Sequence, residues 1–292
     1  MEIKLFSIIV PHFNSPNLLR RLLESIHLCE DTEVIVVDDN STDSLYEYSK
    51  LKNEYEPKGV IFLESNSEER SAGTCRNIGL KKATGKWVLF ADADDYFSPD
   101  FRKIILDDVN REEDVIFYFP SSIDSATGKN SDRHVPFVDI LQAYLKDRSE
   151  ENELQIRFSL VAPWAKMIRR NLLLDNDILF ETTRVANDVL FCRKVGVYSK
   201  TIAVSEKILY VVTTTPGSLT TAKNISSFEM RLEVFIRSTK FLRSHLDRKV
   251  YRKAHVNGSY FVHKCRQDKL GLIELIRTVI ILIINGILPV NI

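Results

Sequence analysis

The strongest constraint on this chain is an alternation of two patterns over its first 120 residues. Short, β-branched apolar runs occur at 5–10, 33–37, 60–63, 87–91 and 115–119, and helix-like segments at about 16–28, 43–53, 71–83 and 99–109 lie between them. In the first helical segment Asn17, Leu18, Leu19, Leu22, Leu23 and Ile26 share one face at helical spacing. Strands that alternate with helices in this way predict an α/β fold, with a mostly parallel sheet flanked by helices. Ligands of such sheets bind at the carboxyl ends of the strands, so informative polar residues should follow the apolar runs.

They do. Pro11, His12, Phe13 and Asn14 follow the first run, Asp38 to Thr42 the second, and Asp92, Ala93, Asp94 and Asp95 the fourth. In extended chain, Asp92 and Asp94 point to one face. Two carboxylates so placed repel unless a cation neutralises them. Mg²⁺ takes one or two carboxylates together with substrate phosphates, and Mn²⁺ accepts the same oxygen set. A DxD triplet alone is a weak signal. The alternative, that these acids cap the next helix, is weakened by Ser98 and Pro99, which supply an N-cap and a first-turn proline. Asp39 suits the ring or ribose of a nucleoside, whereas Ser41 and Thr42 are better placed to cap the helix beginning near Asp43. Gly73 stands at a helix entrance, where free N–H groups favour anions. Arg70 and Arg76 suit a diphosphate or the carboxylates, and a structural ion pair for Arg76 stays open.

Residues 121–134 read as a loop and 208–212 as a strand. From about 226 to 270 the chain reads as two helices, with a third ending near 287. No internal repeat stands out.

The stretches SIIVPHFN at 7–14, VVDDNSTD at 36–43, AGTCRNIG at 72–79 and GKWVLFADADD at 85–95, followed by Pro99, carry a resemblance. In that order and spacing the chain resembles the family 2 inverting glycosyltransferases, which have a GT-A (Rossmann-like) fold. Looser matches are PWAKMIRR at 163–170 and NDVLF at 187–191. The resemblance implies metal-dependent transfer of a sugar from a nucleotide-sugar, usually UDP-linked, with inversion at the anomeric carbon. It implies that Pro11, Phe13 and Asp39 hold the nucleoside, with Asn14 in the same stretch. Asp94 would be the main ligand of Mn²⁺ or Mg²⁺, and Asp92 would touch the metal or the ribose. Gly73 and Arg76 would lie near the donor, and Asp188 would be the general base. Trp164 and Lys166 fall in a segment often close to the acceptor, although Trp164 reads equally as core. One departure is Asn187, where the family commonly has Glu. It leaves a catalytically inactive sugar-nucleotide-binding module as the alternative. A nucleotidyltransferase would need a positive phosphate-gripping loop near the start, which His12, Phe13 and Asn14 do not supply.

These readings divide the chain into a donor-binding half at 1–120, an acceptor-side half at 121–225 and a helical C-terminal extension at 226–292. Composition bears on partners. Lys+Arg and Asp+Glu each total 40, so the formal net charge is +0 and a uniformly basic nucleic-acid surface is not expected. The total hides a polarity: residues 1–160 carry 19 basic and 30 acidic side chains, and residues 161–292 carry 21 and 10. Between 231 and 269 there are 11 Lys+Arg against three acids, and the apolar stretch at 272–290 follows. Basic helices beside such a segment suit peripheral contact of 226–292 with an anionic membrane. The segment contains Glu274, Arg277, Asn285 and Gly286, and falls short of the roughly 20 apolar residues of a spanning helix. Residues 1–10 lack the features of a signal peptide, and the cysteines at 29, 75, 192 and 265 show no CxxC spacing. The expected location is cytoplasmic, at the inner membrane face, with a glycan or lipid-linked acceptor serving surface polysaccharide, capsule or lipopolysaccharide synthesis.

Overall fold

The computed structural model describes residues 4–214 and 224–289. The elements of the first half are β1 (Phe6–His12), α1 (Pro16–Ser25), β2 (Thr32–Asp38), α2 (Leu45–Tyr55), β3 (Val60–Glu64), α3 (Ala72–Lys82), β4 (Trp87–Phe90), β5 (Tyr96–Phe97), α4 (Phe101–Asp107) and β6 (Val115–Asp124). There follow α5 (Val135–Lys146), α6 (Glu150–Ser159), β7 (Lys166–Arg169), α7 (Arg170–Asp175), α8 (Val189–Tyr198) and β8 (Ile202–Thr214). The extension holds α9 (Ile225–His245), α10 (Arg248–Lys253), α11 (Ser259–Gln267) and α12 (Leu272–Ile284).

Among the described residues one sheet runs in the order β3-β2-β1-β4-β7-β6-β8-β5. β3, β2, β1 and β4 are parallel, β7 is antiparallel to both β4 and β6, β6 and β8 are parallel, and β5 closes the edge antiparallel to β8. β1 is apolar almost throughout because both of its faces are covered. Ile8 and Val10 join Leu19, Leu22 and Ile105 on one face. Ile9 joins Cys75, Leu80 and Phe191 on the other. The carboxyl ends of β1, β2 and β4 therefore open on one edge, as the parallel order requires.

Several boundaries differ from the sequence-based expectation. The first helix stops at Ser25 and the second starts at Leu45. Ser41 does not cap it, because its hydroxyl is spent on Asp38. Ser98 is no side-chain N-cap either: α4 begins at Phe101, whose N–H donates to the Ser98 carbonyl at 2.9 Å, and the buried Ser98 hydroxyl has no hydrogen-bond partner. Residues 121–124 belong to β6, so the loop is shorter than expected and the boundary near 120 falls inside a strand. β8 reaches from 202 to 214, and its pairing with β6 shifts register around Phe119 and Pro120. The expected strand at 208–212 is its second half; Pro120 has no N–H for the ladder, and Glu206 and Lys207 break the apolar run, which hid the first half. Between α9 and α12 the chain forms two further short helices, where the sequence suggested one in all.

The C-terminal helices pack on the sheet domain. Leu242 and Ala254 bury against Leu154 and Phe158 of α6. A second cluster joins Phe228, Leu232, Phe261, Cys265 and Leu282, so α9, α11 and α12 share an apolar centre.

Gly85 enters β4 against the backbone of β1. A Cβ there would stand 2.6 Å from both the Phe6 carbonyl carbon and Ser7 Oγ. The main-chain neighbour cannot swing away. Gly85→Ala is expected to lower stability by about 1–3 kcal/mol, as overpacking does, read from the midpoint of urea unfolding; an unchanged midpoint would contradict the close approach.

Candidate active site

The turn after β1 is built by hydrogen bonds that look outward from the strand. The Ser15 N–H donates to Nε2 of His12 at 3.2 Å, so Nδ1 carries the proton and donates to Asp38 Oδ1 at 2.7 Å. The imidazole lies flat on Tyr48, with centroids 4.7 Å apart. Burial pushes the Asp38 carboxyl up, but hydrogen bonds from His12 and from the Ser41 hydroxyl and N–H outweigh it and hold the group below the usual carboxylate range. Asn14, at φ +49°, accepts from the Thr42 and Asp43 N–H groups at 2.8 and 2.9 Å. It fixes the loop after β2, a structural task visible in its bonds. Pro11 is half-buried at the strand end, and exposed Phe13 lies under the Arg70 guanidinium, 4.3 Å from the ring centre.

Asp39 is next in the chain and behaves oppositely. Burial raises its carboxyl above the usual range, against the Cys75 thiol and the Ser71 N–H, and Oδ1 is buried with no hydrogen-bond partner among the described residues. A buried acceptor with no donor is costly unless something supplies one. The orphan oxygen is what a nucleoside N–H or hydroxyl needs.

Ser71 caps α3 by accepting from the Gly73 N–H at 3.1 Å, and its hydroxyl donates to the Thr183 carbonyl. Gly73 is required by proximity: a Cβ would fall 2.0 Å from the Glu181 carbonyl oxygen. The start of α3 is thereby pressed onto the 181–187 loop, which leads to Asp188. Arg76, one turn further, is buried between two partners. It donates to Asp92 Oδ1 at 2.5 Å and to Asn187 Oδ1 at 2.8 Å.

After β4 the chain turns through three acids. The Asp92 N–H donates to the Tyr210 hydroxyl, and the Asp95 N–H donates to the Asp92 carbonyl. Buried Asp95 accepts from the Thr213 N–H at 2.6 Å, tying the turn to β8. Arg21 of α1 grips the Asp94 carbonyl and the Thr213 hydroxyl. Carboxylate oxygens of Asp92, Asp94 and Asp95 lie within 4.8 Å of one another. Burial and the neighbouring Asp92 raise the Asp94 carboxyl. An all-oxygen, like-charged set of this kind fits Mg²⁺ or Mn²⁺.

Asp188 immediately precedes α8, half-buried; burial raises its carboxyl, opposed by Arg76 and more weakly by Lys166. Trp164 is half-buried and packs between Phe137 at 4.8 Å and Tyr210 at 5.9 Å, beside the Asp92 turn. Lys166 departs from the expected acceptor contact. Only 3% exposed, it points into the core and donates to the Leu160 carbonyl at 2.6 Å. The sequence of 213–221, with Pro216 and Gly217, reads as a lid over the diphosphate or as a passive surface loop, and from 215 onward it lies outside the described residues.

Sequence reasoning missed Tyr210, Arg21 and Arg133, which bonds the Thr213 carbonyl near the acids. Each is remote in sequence from the turn it supports. His12 offered one signal, a polar residue inside an apolar strand end.

A mostly parallel sheet flanked by helices, with a carboxylate turn after β4, is the arrangement of a GT-A fold. The glycosyl transferase family 2 model matches residues 7–175, and the chain belongs to that family. The poly(ribitol-phosphate) β-N-acetylglucosaminyltransferase TarS of Staphylococcus aureus (strain MW2) is 34% identical over 73% of this chain, which spans 36% of that relative's length. The putative glycosyltransferase EpsH of Bacillus subtilis (strain 168) is 26% identical over 87% of this chain and 73% of its own. The crystal structure of S. aureus TarS 1–349 with UDP-GlcNAc superposes with a TM-score of 0.69 at 25% identity, covering 89% of this chain and 72% of that one.

The low Asp38 carboxyl fixes a sign. Its stabilisation is complete at neutral pH, above the unfolded value of about 3.9, and is lost as pH falls through the lower folded value. Asp38→Asn is expected to cost about 1–3 kcal/mol at pH 7. The gap to wild type should narrow below about pH 4 in denaturant titrations; a gap constant from pH 7 to pH 3 would refute the charged bond to His12.

Proposed function

We propose that the chain transfers a sugar from a UDP-linked donor to a hydroxyl of a glycan or lipid-linked acceptor, with inversion. The observation that carries this is Arg76, whose guanidinium bonds Asp92 on one side and Asn187 on the other. The carboxylate turn and the segment bearing Asp188 are thereby held in one site. Asp39 and Pro11, with Phe13 on Arg70, would receive the nucleoside, and Gly73 would lie beside the diphosphate. Asp94 and Asp92 would hold Mn²⁺ or Mg²⁺. A bound divalent ion supplies positive charge to the departing diphosphate. Asp188 takes the acceptor proton as the acceptor oxygen attacks the face opposite the leaving group. Its raised carboxyl makes it a better base than an exposed aspartate. Trp164 offers an aromatic face at the acceptor side; Lys166 has no part in that contact. The UDP-GlcNAc complex of the TarS relative supports the donor class.

Asn187 favours a second reading, a sugar-nucleotide-binding module without activity. Its Oδ1 keeps a hydrogen bond to Arg76 but brings no charge. Slow hydrolysis of UDP-sugars with Mn²⁺ and no acceptor separates the two. Asp188→Asn is expected to lose at least 100-fold in transfer, the scale of general-base catalysis, while titration heats with UDP persist. Asp94→Ala should lose the metal-dependent part of those heats. Wild-type transfer by Asp188→Asn would remove the base assignment.

The extension supports work at a membrane surface, at its cytoplasmic face. No helix among the described residues is long and apolar enough to cross a bilayer. Leu272, Ile273, Ile276, Ile280, Ile283 and Ile284 of α12 are all exposed, and at helical spacing they cover one face. Arg266 and Lys269 precede that face and Arg243 bonds the Asn285 carbonyl at its far end. An apolar stripe framed by cations suits an anionic interface. The full chain should co-sediment with anionic vesicles and not with zwitterionic ones, and the exposed changes Ile276→Asp and Ile280→Asp should abolish this. Equal sedimentation of wild type and variant would sink the membrane reading.

A further inference from the structure

We infer that Lys166 is a positioning residue for the reaction, a buried cation that keeps the Asp188 carboxylate ionised; this rests on Asp188 being the base. Three observations carry it. The lysine is 3% exposed, on β7 in the sheet's interior. Its ammonium donates to the Leu160 carbonyl at 2.6 Å and to Cys192 Sγ at 3.7 Å, over the Phe117 ring, and among the described residues no carboxylate lies within ion-pair distance. Cys192 is four residues after Asp188, and its N–H donates to the Asp188 carbonyl at 2.9 Å, so the ammonium sits one helical turn beneath the base.

A buried charge without a direct counter-ion costs stability, and an apolar chain of the same volume would pack there at lower cost. What methionine would not supply is a positive charge behind Asp188. Among the described residues, the charged and titratable groups facing Asp188 are few. Arg76 comes from α3, Asp92 from the turn after β4, Lys166 from β7, and Cys192 lies on its own helix. Glu181, on the loop before it, is held by Arg237 of α9 at 2.8 Å. Asp92 is already bonded to Arg76, so that guanidinium is shared between two carboxylates. Lys166 supplies the second cation. Burial pulls the ammonium below its usual range, and the nearby Cys192 and Asp188 oppose that.

Removing the charge raises the Asp188 carboxyl, so the base stays protonated to higher pH. The test is the pH profile of transfer from pH 5 to 9 for wild type, Lys166→Met, Lys166→Arg and Asp188→Asn, with melting temperatures and UDP titrations alongside. Lys166→Met should move the acid limb of kcat up by roughly one unit, a tenfold loss below the limb that closes at high pH, with donor KM unchanged. Lys166→Arg, always charged, should restore the limb. A folded Lys166→Met with the wild-type limb, or a loss equal at every pH, overturns the inference; so does a folded Lys166→Arg whose limb is raised. If Lys166→Met does not fold, Lys166→Gln takes its place. Wild-type transfer by Asp188→Asn would overturn the base assignment itself, whereas an inactive Asp188→Asn with an unmoved limb in Lys166→Met overturns only the lysine.

Discussion

The guanidinium of Arg76 is the interaction on which the site depends. It is buried, it carries a charge, and both of its close partners come from parts of the chain distant in sequence. A buried arginine that loses one partner leaves an uncompensated charge, which costs several kcal/mol. The fold therefore holds the turn after β4 and the 181–188 segment together through α3. Gly73 and Ser71 act with it, pressing the start of α3 onto the Glu181 and Thr183 carbonyls. The carboxylates have no reason of their own to converge, since Asp92, Asp94 and Asp95 repel. Convergence is imposed by bonds behind them, from Arg21, Tyr210 and the Thr213 N–H.

The two adjacent acids after β2 show how environment divides identical chemistry. Asp38 is saturated with hydrogen bonds and held low; Asp39 is buried with an orphan oxygen and held high. The first builds the loop, and the second keeps an unpaired acceptor beside it. Asn14 belongs with Asp38, because its Oδ1 accepts from the Thr42 and Asp43 N–H groups and its own N–H donates to the Ser41 hydroxyl. Asn14, expected in the nucleoside-binding stretch, makes bonds that hold the loop after β2.

How much could be read beforehand follows from the range of the forces. The strands β1 to β4 and the helices between them were legible because their faces are set by local periodicity. The carboxylate turn was legible because strand ends must be polar in a sheet covered on both faces. β8 was legible only in its second half, at 208–212; its start and its pairing with β6 depend on register shifts at Phe119 and Pro120 that no local pattern marks. The inward turn of Lys166 was invisible for a related reason. Its partners, Leu160 and Cys192, lie on different elements, and a lysine beside a tryptophan looks like an acceptor contact in one dimension.

The charge polarity of the chain has the same dual character. Part of the excess positive charge of the extension is consumed in docking: Arg237 bonds Glu181 and Lys253 bonds Glu150. Such exposed pairs add little energy each, so the docking itself comes from the apolar clusters around Leu242 and Phe228. What the pairs add is register. Arg237 reaches the loop that leads to Asp188, and buried Arg193 of α8 donates to Ser238 and Thr239 of α9 with no acid beside it among the described residues. Burial draws that guanidinium down to about 10. α8 is thus held from both sides, by Lys166 beneath its first turn and by α9 along its length. The extension is thus part of the scaffold that holds α8 and the loop before it in place, and α12 joins that scaffold by packing with α9 in one apolar cluster.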